Sequence, residues 1–264
     1  MVASKLNVQK ILSAIISVLM LACPKAKAQV FFDTKDPQAK KLLFIGNSFT
    51  YVNQLPMALA ALVFDSGTSK QLKVAEIVQG GATLDLLWNH SDAKKTIADG
   101  GPWTEVVLQE QSQRPYKEPE LMFKSVQDFD AAIRQAHART VLYQTWCDRN
   151  SLGDQQLLTA GYKTAAGKVG AEVVPAGDAF AICLREQPNI NLYDADNHHP
   201  SKEGTYLAAC VFYAKLFGRT PVGLPFDLSV VEQDTGKTLK LFAIDAATAA
   251  TLQQIALRAV TNYR

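Results

Sequence analysis

The sequence predicts an α/β protein: a three-layer α/β/α domain with a central, mostly parallel five-stranded sheet. Short apolar runs alternate with segments whose apolar residues recur every three or four positions, as on one face of a helix. This alternation is typical of a parallel sheet covered by helices on both faces. With 264 residues, 48% of them hydrophobic and 20% charged, the chain has the composition of one sizeable globular domain.

Five apolar runs are the candidate strands. They are 41–45, 72–78, 105–109, 139–145 and 171–175. Ligands of such sheets bind beyond the carboxyl ends of the strands. Ser48, the segment 109–114 and Trp146 each come directly after a candidate strand. We therefore expect these residues to share one rim of the sheet.

Four segments carry apolar residues at helical spacing. Their faces are Leu55, Leu59, Leu62 and Val63; Met122, Val126, Phe129 and Ile133; Leu207, Cys210, Val211 and Ala214; and Leu252, Ile255, Ala256 and Ala259. Ser201 is a candidate N-cap for the third helix, and the last helix should begin near Asp245. The stretch 218–240 contains prolines and several glycines, which indicates a surface excursion before the last helix.

Residues 1–28 have the pattern of a secretory signal peptide. Lys5 and Lys10 precede the apolar run 11–22, and Ala26-Lys27-Ala28 offers a small-residue cleavage site. The apolar run is too short to span a bilayer comfortably. We therefore expect an exported protein, periplasmic or extracellular, with one domain over 29–264. Leu21-Ala22-Cys23 allows a second interpretation, in which Cys23 is acylated and anchors the protein to a membrane.

Charge and cysteine content limit the possible partners. Segment 1–28 holds four lysines and no acidic residue, so its removal changes the net charge from +2 to −2. The basic character thus belongs to the leader, and we expect no nucleic-acid partner. The domain keeps Cys147, Cys183 and Cys210, all in apolar contexts, and we expect buried free thiols rather than a disulfide.

Ser48 and a later pair, Asp196 and His199, carry the strongest chemical signal. Ser48 lies at the tip of the first strand, in Gly-Asn-Ser, and the Asp and His are three residues apart. A serine hydroxyl is a poor nucleophile at neutral pH until an imidazole accepts its proton and a carboxylate orients that imidazole. This set is the raw material of a serine hydrolase, although Gly-Asn-Ser alone is also common in turns.

A metal site is the alternative for the same acid and histidine cluster. Asp194, Asp196, His198 and His199 offer ligands that suit zinc or manganese. No further histidine has a spacing that would complete such a site, so we expect no metal and no cofactor. His198 is then a neighbour that shapes the turn.

Three motifs, in order along the chain, resemble the blocks of the SGNH (GDSL-type) hydrolases. They are Gly46-Asn47-Ser48, Gln79-Gly80-Gly81-Ala82-Thr83 and Asp196-Asn197-His198-His199-Pro200. The resemblance implies the flavodoxin-like fold of that superfamily. It also implies that Ser48 is the nucleophile, His199 the base and Asp196 its partner. The backbone N–H groups of Ser48 and Gly81 would form part of an oxyanion hole.

The remaining block departs from the family pattern, which is Gly-x-Asn-Asp. Here the strand runs into Gln109-Glu110-Gln111. Gln111 occupies the position of the Asn whose amide is an oxyanion donor, while Gln109 occupies the Gly position and has a longer amide. Some sugar O-acetylesterase relatives carry Gln-Gly-Glu here, so either glutamine is a candidate donor. Such a donor contributes about 3 kcal/mol in comparable sites.

The resemblance implies a serine esterase, and the pattern of 1–28 implies that it is secreted. The export signal and the Gln-containing third block make an O-acetyl group on a carbohydrate the best candidate substrate. Trp146 is a candidate stacking surface for that substrate. An acyltransferase would share the same triad. The altered third block also allows a non-catalytic carbohydrate-binding protein on a hydrolase scaffold. We expect a small-molecule or carbohydrate ester as partner and no stable membrane span, while the oligomeric state stays open.

Overall fold

The computed structural model describes residues 25–69 and 71–263. Cys23 and most of the expected signal peptide lie outside the described residues. Within the described part of the chain, no helix is long and apolar enough to cross a membrane.

A six-stranded mixed sheet forms the centre of the domain. Its strands are β1 (Gln29–Phe32), β2 (Lys40–Gly46), β3 (Leu72–Val78), β4 (Glu105–Leu108), β5 (Arg139–Gln144) and β6 (Glu172–Pro175). The order across the sheet is β1-β3-β2-β4-β5-β6, and β2 to β6 are parallel. The five predicted strands are thus confirmed to within one residue at each end. The strand order reverses at β2, which is where ligands bind in open α/β sheets.

The prediction of only five strands was wrong, because β1 adds an antiparallel edge beside β3. Gln29 pairs with Glu76 and Val30 with Ala75. An edge strand needs one hydrogen-bonded neighbour and one covered face, so its apolar pattern is short. Here Gln29 and Val30 are exposed and only Phe32 is buried. Four residues with a single buried position give no period that distinguishes a strand from a loop.

Helices cover both faces of the sheet, as predicted for a three-layer domain. They are α1 (Ser48–Tyr51), α2 (Leu55–Asp65), α3 (Leu84–His90), α4 (Ala93–Asp99), α5 (Arg114–Lys117), α6 (Pro119–Gln135), α7 (Gln155–Val169), α8 (Ala176–Glu186), α9 (Lys202–Phe217) and α10 (Ala246–Asn262). One apolar core joins α2, α8, α9 and α10 to the sheet. A second core joins α3, α4, α6 and α7 to the other face.

The predicted helix starts are confirmed by their caps. The Ser201 hydroxyl accepts a hydrogen bond from the Gly204 N–H at 3.1 Å, and the Asp245 carboxylate accepts one from the Thr248 N–H at 2.8 Å. These side chains satisfy N–H groups that have no partner within the helix. Cys147, Cys183 and Cys210 are buried free thiols, as expected.

A β-hairpin fills much of the stretch that was predicted as a surface excursion. It consists of β7 (Asp227–Val231) and β8 (Thr238–Ala243), paired antiparallel. Leu228 and Val230 are buried in the core on the α2 side. The prolines and glycines of 218–240 obscured these strands, because the two strands are only five and six residues long.

Candidate active site

The turn after β2 places Ser48 at the rim of the sheet. Asn47 caps α1, since its side-chain oxygen accepts a hydrogen bond from the Phe49 N–H at 3.1 Å. Its Nδ2 donates to the Ala82 carbonyl at 2.9 Å and so ties this turn to the loop after β3. Ser48 is the first residue of α1 and only 8% exposed. The hydroxyl is therefore held in a fixed position close to solvent.

The structure brings the three predicted catalytic residues together in one chain of hydrogen bonds. His199 Nε2 lies 2.8 Å from Ser48 Oγ, and His199 Nδ1 lies 2.5 Å from Asp196 Oδ2. The hydrogen bond from His199 lowers the pKa of Asp196 from 3.8 to about 2. A carboxylate that is charged throughout the neutral range keeps Nδ1 protonated and leaves Nε2 free to accept the serine proton.

A tight turn holds the acid and the base in this arrangement. Asp196 Oδ1 accepts hydrogen bonds from the backbone N–H groups of His198 at 3.0 Å and His199 at 2.9 Å. Asn197, between Asp196 and His198, has a φ of 59°, in the left-handed region that Asn tolerates better than most residues. The Asp194 N–H closes the turn on the His199 carbonyl at 2.8 Å. The three-residue spacing therefore lets one carboxylate orient both the backbone and the imidazole.

The backbone N–H groups of Ser48 and Gly81 are the candidate oxyanion donors. Neither the Ser48 N–H nor the Gly81 N–H has an acceptor among the residues that the structure describes. Gly81 has a φ of 67°, and a Cβ built on it would meet nothing within 4 Å. Open space beside two free donors is what a tetrahedral intermediate requires.

Gln109 does not reach this space, which corrects its assignment as an oxyanion donor. The residue is 1% exposed and lies beneath the nucleophile turn, against Gly46. Its Oε1 accepts from the Asn47 N–H at 2.8 Å and from the Thr50 hydroxyl at 3.0 Å. Its Nε2 donates to the Glu110 carbonyl at 2.5 Å. Gln109 therefore supports the turn from below.

Gln111 is the glutamine that stays a candidate donor. It is half-buried, and its Oε1 accepts from the N–H groups of Gln113 at 2.9 Å and Arg114 at 3.2 Å. Its Nε2 donates one hydrogen to the Ser112 hydroxyl at 3.1 Å. An amide nitrogen carries two hydrogens, so a second N–H is left for a ligand.

Trp146 is fully buried, which corrects its assignment as a substrate-stacking residue. Its ring stacks on Phe180 at 3.9 Å and on Phe49 at 4.9 Å between centroids. The indole N–H donates to the His198 carbonyl at 3.2 Å. Trp146 is thus the floor of the site: it supports Phe49, next to the nucleophile, and the turn that carries His199.

Two further features of the site were not predicted. Asn53 Nδ2 donates to the Pro200 carbonyl at 2.9 Å and to the Thr205 hydroxyl at 3.0 Å, which ties the nucleophile segment to the His199 turn. His198 Nδ1 hydrogen-bonds to Asp148, and this forms a second histidine–carboxylate pair beside the first. The position of Asp148, just after β5, could have revealed it by the strand-end rule. No sequence pattern marks Asn53.

Glu110 connects the two loops that carry the candidate oxyanion donors. Its Oε1 accepts hydrogen bonds from the Leu84 N–H at 3.0 Å and the Gln111 N–H at 2.7 Å. The residue is fully buried, and desolvation raises the pKa of its carboxyl from 4.5 to about 7. Asp85, near the same loops, is ion-paired with Arg114.

Among the described residues, no group of three or more His, Cys, Asp or Glu side chains is arranged to bind a metal ion. His198 and His199 each point one ring nitrogen at a different carboxylate, on Asp148 and Asp196. The candidate chemistry therefore rests on hydrogen-bonded acid–base pairs.

Comparison with known proteins gives matches among solved structures. No protein-family model and no curated protein sequence matches the chain. A protein from Slackia heliotrinireducens that is described as an SGNH hydrolase has 29% identity and a TM-score of 0.57, over 68% of this chain and 100% of its own. A DUF4886 family protein from Bacteroides uniformis ATCC 8492 has 19% identity and a TM-score of 0.63, over 85% and 96%. An acetyl xylan esterase, AlAXEase, has 14% identity and a TM-score of 0.55, over 66% and 98%.

The mostly parallel sheet, with helices on both faces and Ser48 at its switch point, defines the class as a three-layer α/β/α fold. The similarity to the Slackia protein, together with the shared fold of the other neighbours, makes the identification more specific. These similarities support the SGNH (GDSL-like) hydrolase superfamily as the family of this chain.

Proposed function

We propose that the protein is a serine esterase in which Ser48, His199 and Asp196 form the catalytic triad. The observation that carries this proposal is the unbroken hydrogen-bond chain from Ser48 Oγ through His199 to Asp196, at 2.8 and 2.5 Å. The N–H groups of Ser48 and Gly81, which have no acceptor among the described residues, would bind the oxyanion.

The mechanism follows from this geometry. Ser48 Oγ attacks the ester carbonyl carbon while His199 Nε2 accepts its proton, and the carbonyl oxygen becomes an anion bound by the two N–H groups. The C–O bond to the alcohol then breaks, and His199 returns the proton to that alcohol. Water attacks the acyl-serine by the same steps, which releases the acid and restores Ser48.

We propose an O-acetylated carbohydrate as the substrate. The similarity to an acetyl xylan esterase supports this, as do the polar groups at the rim. Gln113 Nε2 donates to Asp148 Oδ2 at 3.4 Å, and Asp148 in turn pairs with His198, whose side chain is 34% exposed. Partly exposed imidazole, amide and carboxylate groups can bind the hydroxyl groups of a sugar.

The test compares hydrolysis of p-nitrophenyl acetate with release of acetate from acetylated xylan. Ser48→Ala and His199→Ala should each lower kcat by several orders of magnitude, because in another serine hydrolase either loss cost about a million-fold. Ser201→Ala is the matched control: this serine caps α9, outside the triad. Hydrolysis that persists in Ser48→Ala would refute the mechanism. Sugar binding without turnover in the parent would instead indicate a carbohydrate-binding protein, and acyl transfer to an added alcohol would indicate a transferase.

We also propose that the protein is exported after cleavage following Ala28. The basic start, short apolar run and small-residue site of 1–28 support this. Mass spectrometry of the processed protein should find Gln29 at the N-terminus. A mature chain that begins with an acylated Cys23, and that loses its membrane association in Cys23→Ser, would support lipid anchoring instead.

A further inference from the structure

A cavity of about 700 Å³ lies away from Ser48, between the N-terminal strand and the hairpin. Its walls come from β1 and the residues after it, from β3, from the start of α2 and from β7 and β8. The Gln233 side chain joins two of these walls: its Oε1 accepts from the Asp33 N–H at 2.7 Å, and its Nε2 donates to the Asp33 carbonyl at 2.9 Å. The volume is in the range of small-molecule sites.

Glu76 is the unusual residue of this cavity. It lies in the middle of β3, paired with Gln29 on one side and Phe44 on the other, and is 6% exposed. Glu76 lines the cavity, and its Oε2 is buried without a hydrogen-bond partner among the residues that the structure describes. Desolvation raises the pKa of Glu76 from 4.5 to about 7. A buried carboxyl without a partner is costly, so native proteins nearly always supply one.

The remaining lining residues favour a ligand that is positively charged at one end. Asp33, Glu232 and Asp234 add three acidic side chains, and no Lys, Arg or His is among the described residues that line the cavity. Lys73 Nζ lies 3.5 Å from Asp33 Oδ1, outside this lining, and leaves Glu76 unpaired.

Apolar groups cover the rest of the surface. They are Val30, Phe31, Phe32, Met57, Val230 and Leu239. A fully hydrated metal ion gains nothing from contact with apolar side chains, whereas an alkyl chain is stabilised by burial against them. An ammonium group has three N–H donors, so it can satisfy Glu76 while its hydrocarbon part covers the apolar wall.

We propose that this cavity binds an organic ammonium ion with a short alkyl chain, and that Glu76 is its anionic partner. The ammonium pairs with the carboxylate of Glu76, and the acidic side chains that line the cavity attract it from solution. The site is independent of the triad and does not rest on the proposed esterase activity.

The test is isothermal titration calorimetry of the purified protein with n-hexylammonium chloride. The neutral isostere 1-hexanol and CaCl₂ serve as competing probes, and a Gly-Lys-Gly peptide distinguishes a lysine side chain from a free amine. Glu76→Gln removes the charge and keeps the size of the side chain. Glu172→Gln is the matched control, because Glu172 is an exposed acid on β6, the opposite edge of the same sheet.

We expect saturable hexylammonium binding to the parent protein and to Glu172→Gln. The dissociation constant should be at least about tenfold higher in Glu76→Gln, and also for hexanol, because a charged hydrogen bond is lost. Equal affinity in Glu76→Gln, equal affinity for hexanol, or no saturable binding would overturn the proposal. Glu76-dependent binding of Ca²⁺ without binding of hexylammonium would overturn the ligand class. Thermal melting of each variant verifies that it is folded.

Discussion

Glu110→Gln should make the free energy of unfolding fall less as the pH rises. The carboxyl is fully buried, and desolvation raises its pKa from 4.5 to about 7. The folded state therefore binds a proton more tightly than the unfolded chain. This contribution to stability is complete below about pH 4.5 and is lost as the pH rises through about 7. Gln keeps an oxygen that can accept from Leu84 and Gln111, but it does not ionise.

The size of the effect follows from the shift. A rise from 4.5 to about 7 corresponds to a loss of about 3 kcal/mol of unfolding free energy between pH 4 and pH 8. We expect the variant and the parent to have similar stability at pH 4. At pH 8 the variant should be more stable by up to about 3 kcal/mol. Glu76 and the other carboxyls titrate in both proteins, so their contributions cancel in the difference.

Urea unfolding followed by tryptophan fluorescence, at several pH values between 4 and 8, measures this difference. The slope of the free energy against urea should be the same in both proteins, which would show that the unfolded states are comparable. Glu172→Gln, at an exposed position, should change the stability by no more than about 0.5 kcal/mol at any of these pH values. A stability difference between Glu110→Gln and the parent that does not change from pH 4 to pH 8 would refute the reasoning.

Four other substitutions test separate features of the site. Asn53→Gly should lower kcat about tenfold, because the His199 turn loses the hydrogen bond from Asn53 to the Pro200 carbonyl. Gly is the replacement because it adopts the φ of 51° at this position without strain. An unchanged kcat would contradict this prediction. Gly81→Ala should cost about 1 kcal/mol of stability in urea unfolding because of its positive φ; no loss would contradict that strain. Trp146→Ala should lower the free energy of unfolding, measured in urea, by about 3–5 kcal/mol. A smaller loss would show that neighbouring side chains move to fill the cavity. His198→Ala should raise KM for acetylated xylan but not for p-nitrophenyl acetate, and equal effects on both would contradict a role in sugar binding.

The sequence predicts the sheet and the triad well because both depend on local patterns. Buried parallel strands are continuous apolar runs, and they end where polar residues begin. An Asp and a His on one tight turn are close in space by necessity, so their pairing needs no tertiary information. Ser48 joins them because β2 lies at the switch point of the sheet.

The errors concern side chains whose direction is set by distant elements. Gln109 and Trp146 both follow strands at the expected rim, but that placement does not say which way each side chain turns. Trp146 turns inward because Phe180, from α8, offers a flat surface that stacks at 3.9 Å. Gln109 turns inward because the Asn47 N–H and the Thr50 hydroxyl need an acceptor. These partners are 34 to 62 positions away along the chain, beyond the reach of any local pattern.

The Gln109 amide, beneath the nucleophile turn, also couples the residues that can be tolerated at positions 46 and 109. A methyl group at Gly46 would lie 2.5 Å from Gln109 Oε1 and 2.6 Å from the Thr50 hydroxyl, which is closer than atoms can approach. Larger residues at 46 therefore require a shorter residue at 109, and a shorter residue at 109 leaves the Asn47 N–H without its acceptor. Mutational libraries that vary position 46 alone should return only glycine. Alternatives should emerge only when 46, 50 and 109 are randomised together, so this turn evolves as a unit.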